Sequence, residues 1–361
     1  MKFFDEKIFD LPKTRNSDIV SFLEILFLEY NKSIKEISNP EIDYELIKDL
    51  CDAIIKSINY HYAGCTDESY NCLELVLNRL EYYLLIPKQN SFSVSPAMDR
   101  NCFRIRLCDR RHLKKKELFH IPFDEREKIS VQRYSITGFP CLYLGESIYS
   151  CWLEMNQPEL SKVQVARYEL PLDYKFLDLT YNFQQFLFNY ERNGIDKLGL
   201  FYLTYWPLLA VSTLRVKERE LPFKPEYIIP QIVLKWVSQN KNLNGIKYFS
   251  SIKPSNYKNT YINLINYAIP VKTNKVQGYC DELIRSIKYT EPLYYSDFVL
   301  KEPDYMTKYL AVNLNNESRL KVSNKILELE LTKDNPIAYF DSIFGKMEIK
   351  LAETSVDYLK I

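Results

Sequence analysis

The sequence predicts an α+β protein in which an α-helical N-terminal region precedes a core of short strands with flanking helices. Two changes of pattern carry that expectation. Up to about residue 90 the apolar residues recur at helical spacing, and from Asn101 onward short apolar runs alternate with polar residues between turn signals. A third observation is the segment QRYSITGFPCLYLGESIYSCWLEM, Gln132 to Met155, which packs a turn, a strand, a glycine and a short helix into one continuous stretch. At 361 residues the chain has length for two domains, or for one large domain with extensions, and ample core.

The N-terminal helices come first. Ser17 can cap a helix whose Ile19, Val20, Phe22, Leu23, Leu26, Phe27 and Tyr30 form one broad apolar face. Pro40 suits the first turn of a second, with Ile42, Leu46, Ile47, Leu50, Ile54 and Ile58 at helical spacing and an end near Gly64. A third follows Thr66 and carries Leu73, Leu77, Leu80 and Leu84. Together they predict a helical region over 1–95, closed by a linker within Lys88 to Ala97. His61, between two tyrosines, reads as a packed or surface histidine.

Past residue 100 the period shortens. Asn101 to Cys108 alternates Phe103, Ile105 and Leu107 with Arg104 and Arg106, which puts both arginines on one face of a strand. The basic run from Arg110 to Lys116 reads as a solvated loop, and His120 as the donor or acceptor of a structural hydrogen bond. After Arg133, Gly138 and Pro140 mark a turn, Cys141 to Leu144 a buried strand, and Ser147 the cap of a helix with Ile148, Cys151, Trp152 and Met155 on one face. Glu154 falls on the flank of that face, about 60° from Cys151. Val163 to Leu170, Phe176 to Leu179 and Asn266 to Val271 read as strands. Tyr202 to Val216, interrupted by Pro207, and Glu226 to Val237 read as mainly helical. The alternations at Leu320 to Val322 and Ile326 to Leu331 suggest further strands in an extension over 301–361.

Composition narrows the function. With 48 basic and 47 acidic residues the chain carries no net footprint for nucleic acid or an anionic membrane, and neither partner is expected. Eight cysteines stand singly, with no Cys-x-x-Cys pair, which favours reduced core thiols over a disulfide frame or zinc site. No run reaches the roughly 18 apolar residues of a spanning helix and the first residues lack a signal-type apolar stretch, so a cytoplasmic protein is expected. Three histidines form no metal-ligand motif, and neither a Rossmann fingerprint nor a phosphate-binding Gly-Lys-Ser/Thr loop occurs. No metal and no prosthetic cofactor is expected.

The segment from Arg133 to Glu154 resembles the RES domain, a family named for its arginine, glutamate and serine. Tyr143 lies ten residues after Arg133 and Glu154 eleven after Tyr143, Phe103-Arg104 supplies the preceding aromatic-arginine strand element, and Gly245-Ile246-Lys247-Tyr248-Phe249-Ser250 matches the strand that bears the serine. The resemblance spans roughly Asn101 to Leu293. The helix before the glutamate, Tyr149-Ser150-Cys151-Trp152, is bulkier than the family's usual small-residue helix.

That resemblance implies a catalytic domain over 96–300 with a split, bent β core similar to the mono-ADP-ribosyltransferase toxins, and NAD as substrate. It implies Glu154 as the carboxylate that stabilises the oxocarbenium-like transition state, and Tyr143 as the aromatic beside nicotinamide. Arg133, helped by Arg104, is implied as the pyrophosphate fork, and Ser250 as a hydroxyl on a ribose or on the carboxylate. Taken singly, these residues have plainer readings: Glu154 as a surface carboxylate, Tyr143 as a core tyrosine, Arg133 as a salt-bridge partner, with Arg106 beside Arg104 and Ser251 beside Ser250 as alternatives. Three function classes follow. They are an NAD glycohydrolase of toxin or defence type, an ADP-ribosyltransferase acting on an acceptor, and a non-catalytic interaction module. The implied partners are NAD and an antitoxin or regulatory protein, and the N-terminal helices are either scaffold or a restraint on the site.

Overall fold

Helical spacing ahead of residue 90 becomes, among the described residues, the helices α1 (Glu6–Phe9), α2 (Ile19–Lys35), α3 (Tyr44–Tyr62) and α4 (Thr66–Leu84). The structure is a computed structural model and describes residues 4–37, 39–84, 101–108, 111–218, 220–250, 264–300, 339 and 342–360. The cap of α2 is Asp18, whose carboxylate accepts from the Ser21 N–H at 3.0 Å, and that of α3 is Asp43, which accepts from Leu46 N–H at 2.9 Å. Ser17 and Pro40 lie outside the helices, because a cap must directly precede the first turn to reach its free N–H groups. Gly64, at φ +80, ends α3 as expected. Leu23, Phe27, Leu46, Leu50, Ile54, Leu73, Leu77 and Leu80 are buried, each such side chain stabilising by about 1.5–3 kcal/mol. Helices α3 and α4 approach closely at two serines: Ser57 Oγ donates to the Ser69 carbonyl at 2.6 Å and Ser69 Oγ to that of Ser57 at 2.8 Å.

The next elements are β1 (Asn101–Leu107), β2 (Cys141–Gly145), α5 (Ile148–Glu154), β3 (Val163–Glu169), β4 (Phe176–Leu179), α6 (Phe183–Asn193), α7 (Lys197–Ser212) and α8 (Ile228–Gln239). After them come β5 (Gly245–Phe249), β6 (Ile265–Pro270), α9 (Asp281–Ser286), β7 (Lys288–Tyr289), β8 (Leu293–Tyr294), α10 (Tyr295–Leu300), α11 (Ile343–Ala352) and β9 (Asp357–Tyr358). They form two compact units that interleave along the chain. The first takes Met1–Ser91, Ser130–Phe139 and Lys175–Lys247, and the second Phe92–Ile129, Pro140–Tyr174 and Tyr248–Ile361. This division differs from consecutive segments at 1–95, 96–300 and 301–361, since long-range packing assigns 130–139 and 175–247 to the unit that holds the N-terminal helices.

In the first unit, α7 runs unbroken through Pro207, which was expected to interrupt it. Proline has no N–H, so the Leu203 carbonyl four residues earlier loses its helical donor. The hydroxyl of Tyr30, from α2, donates to that carbonyl instead, and the Tyr30 ring stacks on Trp206 with centroids 4.1 Å apart. Every residue from Phe201 to Ser212 is buried, so tertiary contacts hold the helix past its local break.

In the second unit, strands β6, β2, β1 and β3 run side by side, and every pair is antiparallel. β1 and β3 are zipped from Asn101↔Glu169 to Leu107↔Val163, and β2 and β6 from Cys141↔Pro270 to Gly145↔Asn266. β1 and β2, by contrast, pair at Phe103↔Gly145 alone. The sheet therefore opens between two well-paired halves, which is the split β core of the expected α+β architecture. Beyond β3 lie β7 and β8, with β9 on β7. Helix α5 lays Ile148, Tyr149, Trp152 and Leu153 on Phe103, Ile105, Val163 and Val165, and α11 covers it with Ile343, Phe344 and Met347. The extra strands expected at 320–331, and the linker at Lys88 to Ala97, lie outside the described residues; α11 and α6 were not anticipated.

Candidate functional site

Four of the five residues singled out from the sequence stand in the second unit. Strand β6 links three of them. The Ser250 N–H donates to the carbonyl of Leu264 at 2.7 Å, just before β6. Two residues on, the Asn266 amide donates from Nδ2 to Glu154 Oε1 at 2.8 Å. After two more, Ala268 pairs with Tyr143 of β2. The fourth, Arg104, donates from Nη1 to the carbonyl of Tyr143 at 2.8 Å, across the opening between β1 and β2 where ladder bonds are missing.

Each side chain is positioned by local rules. Ser147 caps α5, its hydroxyl accepting from the Ser150 N–H at 3.0 Å. The helix then buries Trp152 and Leu153 and leaves Glu154, its last residue, exposed to solvent. Asn266 is buried at 4% exposure, so its amide is a fixed donor that orients the carboxylate. Gly145 makes this approach possible. A Cβ there would meet Cys151 Sγ at 2.6 Å, the Ser147 carbonyl at 3.2 Å and Asn266 Oδ1 at 3.3 Å, so a larger residue forces Cys151, or α5 that carries it, to shift. Tyr143 is partly enclosed, and burial holds its hydroxyl well above the usual range. Cys141 and Cys151 are likewise pushed up to about 12 by burial and remain thiols.

Arg133 belongs to the first unit, where it is buried. Its Nη1 and Nη2 donate to the carbonyls of Ser212 and Leu214 at 3.0 and 2.8 Å, and its guanidinium lies 5.2 Å from the Tyr227 ring centroid. It thereby ties down the C-terminal end of α7. His120 makes the structural bonds expected of it: Nδ1 lies 2.7 Å from the Ile121 carbonyl and Nε2 accepts from Cys280 N–H at 2.9 Å. Burial pushes it down to about 4, so it is neutral.

Two contributors were missed. Asn266 reads as one residue of an apolar strand, and its isolation as a polar group among Ile265, Tyr267 and Ala268 was the available signal. Glu348 of α11 accepts from the Ile148 N–H at 2.6 Å and from the Tyr339 hydroxyl at 2.5 Å, closing the N-terminal end of α5. Burial raises this carboxyl to about 7. Nothing local marks Glu348, which lies two hundred residues from its partner. Among the described residues, no three His, Cys, Asp or Glu side chains are grouped to hold a metal ion, and no helix is long and apolar enough to cross a membrane.

The fold and these residues define an α+β protein with an open, split sheet flanked by helices. No family model and no solved structure matches the chain. Comparison with curated proteins finds the Bacillus subtilis (strain 168) protein named "Putative toxin YopC", 31% identical over 306 residues, which covers 80% of this chain and 69% of that one. The chain belongs to the family of that protein.

Proposed function

We propose that this protein is a toxin-type enzyme that cleaves the bond between nicotinamide and ribose in NAD. The observation that carries the reading is the attachment of Ser250, Glu154 and Tyr143 to the alternate residues Leu264, Asn266 and Ala268, the first just before β6 and the other two within it, with the Arg104 guanidinium bonded to the backbone of Tyr143. A carboxylate, an aromatic ring, a hydroxyl and a cation are the groups that glycosidic cleavage of a dinucleotide calls for. The name of the Bacillus relative supports the toxin part, and the resemblance to RES domains supports NAD.

In this mechanism Glu154 stabilises positive charge developing on the ribose as nicotinamide departs. Asn266 holds one carboxylate oxygen, Oε1, and so presents the other to the sugar. Tyr143 flanks the nicotinamide ring, Ser250 bonds a ribose hydroxyl, and Arg104 binds the diphosphate. Arg133, with both terminal nitrogens engaged by carbonyls of the first unit, acts by fixing the end of α7. Restraint of such an enzyme in its own cell calls for an antitoxin or regulatory protein.

Incubating purified protein with NAD tests the reading. Nicotinamide and free ADP-ribose are expected in equal amounts, with growth arrest on expression. Nicotinamide released with ADP-ribose on an acceptor would make the protein a transferase, and intact NAD after prolonged incubation would remove the enzymatic reading.

A further inference from the structure

Arg106 is a half-buried charged residue of the second unit that the mechanism leaves unused. It stands two residues from Arg104 on the same face of β1, about 7 Å along the strand. Both side chains are half-buried, and in both Nε is shielded from solvent with no hydrogen-bond partner among the described residues. Burial and the charge of Arg104 push Arg106 down to about 10. Two neighbouring, partly desolvated guanidiniums repel each other, and such a pair persists where an anion compensates it.

No described neighbour supplies that anion. Opposite on β3 stand Ala166 and Gln164. Gln164 is fully committed, its Oε1 accepting from Leu113 N–H at 2.8 Å and its Nε2 donating to the Arg111 carbonyl at 2.8 Å. Glu117, the carboxylate among the described residues whose charge reaches Arg106, is held by both terminal nitrogens of Arg111 and driven down to about 2 by that pairing. Tyr168 donates its hydroxyl to the Leu118 carbonyl, and His120 is neutral.

We propose that Arg104 and Arg106 form a two-guanidinium diphosphate site, in which Arg106 confers preference for a diphosphate-linked nucleotide over a monophosphate. The nucleotide's identity rests on the NAD reading; the anion site does not. Two forks side by side match two linked phosphoryl groups, whereas an isolated phosphate satisfies one.

Calorimetric titration of the full chain with inorganic pyrophosphate, ADP-ribose and orthophosphate tests this. Pyrophosphate and ADP-ribose should bind at least about tenfold more tightly than orthophosphate. Arg106→Met should lose about tenfold or more in pyrophosphate affinity and most of that discrimination, with Arg106→Lys in between. Ligand-free Arg106→Met should melt no lower than the parent, because repulsion is relieved; a lower melting temperature would mark Arg106 as structural and overturn the site. Unchanged pyrophosphate affinity in both variants, or no binding by the parent, would also overturn it. A parent that binds pyrophosphate yet leaves NAD intact keeps this site and removes the glycohydrolase reading. Parent and Arg106→Met cleaving NAD with equal KM would do the reverse.

Discussion

Glu154 is held by one amide and otherwise faces solvent, so its substitution separates chemistry from folding. Glu154→Gln is expected to leave the melting temperature and NAD affinity nearly unchanged while lowering kcat by about 100-fold or more, because the lost charge acts in the transition state. Equal turnover in parent and variant would remove Glu154 from the mechanism. Gly145 is a sharper probe of geometry. In Gly145→Ala the new methyl collides with Cys151 Sγ, displaces α5 and with it the carboxylate, and costs about 1–3 kcal/mol of stability. Adding Cys151→Ala removes the colliding sulfur, and the double variant should recover both melting temperature and turnover. Failure of that rescue would mean that contacts other than Cys151 set the spacing.

At the scale of elements, two helices depend on side chains far away in sequence. Tyr30 supplies the donor that Pro207 cannot, so Tyr30→Phe leaves the Leu203 carbonyl buried and unpaired at a cost of about 1–3 kcal/mol. Restoring an N–H with Pro207→Ala should return most of that loss, which chemical denaturation of the double variant would measure. The other dependence is that of α5 on Glu348. Its folded carboxyl titrates near 7, above the ordinary carboxylate value, so the folded state binds the proton more tightly than the unfolded chain. Stability is then greatest below the unfolded value and falls as pH rises through about 7. Glu348→Gln keeps an acceptor for Ile148 N–H and removes the titration. Thermal melts from pH 5 to 8 should lose part of their slope in the variant, and an unaltered slope would place the effect elsewhere.

At the scale of the molecule, the interleaving of the two units decides what can be cut. The first unit draws on residues before Ser91, on Ser130–Phe139 and on Lys175–Lys247, so the N-terminal helices are not a detachable module. Deleting residues before Phe92 removes Tyr30 from α7 and strips the cover that α2 to α4 give to their shared core. An insoluble remainder is expected on expression. A soluble remainder with raised NAD consumption would instead assign the helices a restraining role.

Much of the candidate site's local geometry was legible in the sequence, because its elements obey short-range rules. The turn at Gly138, the strand ending at Gly145, the Ser147 cap and the position of Glu154 all follow from side-chain period, capping and turn chemistry within about twenty residues. The alternation on β1 likewise put Arg104 and Arg106 on one face before any partner was known. What only the tertiary structure decided is which groups meet. Asn266 reaches Glu154 across 112 residues, Glu348 reaches Ile148 across 200, and Tyr30 reaches Leu203 across 173. The same holds for Arg133: its motif spacing is visible in the chain, but its commitment to two carbonyls is set by the packing of α7. Period and propensity describe how a segment buries its own apolar face, whereas the partner of a buried polar group is chosen by chain segments brought together in folding.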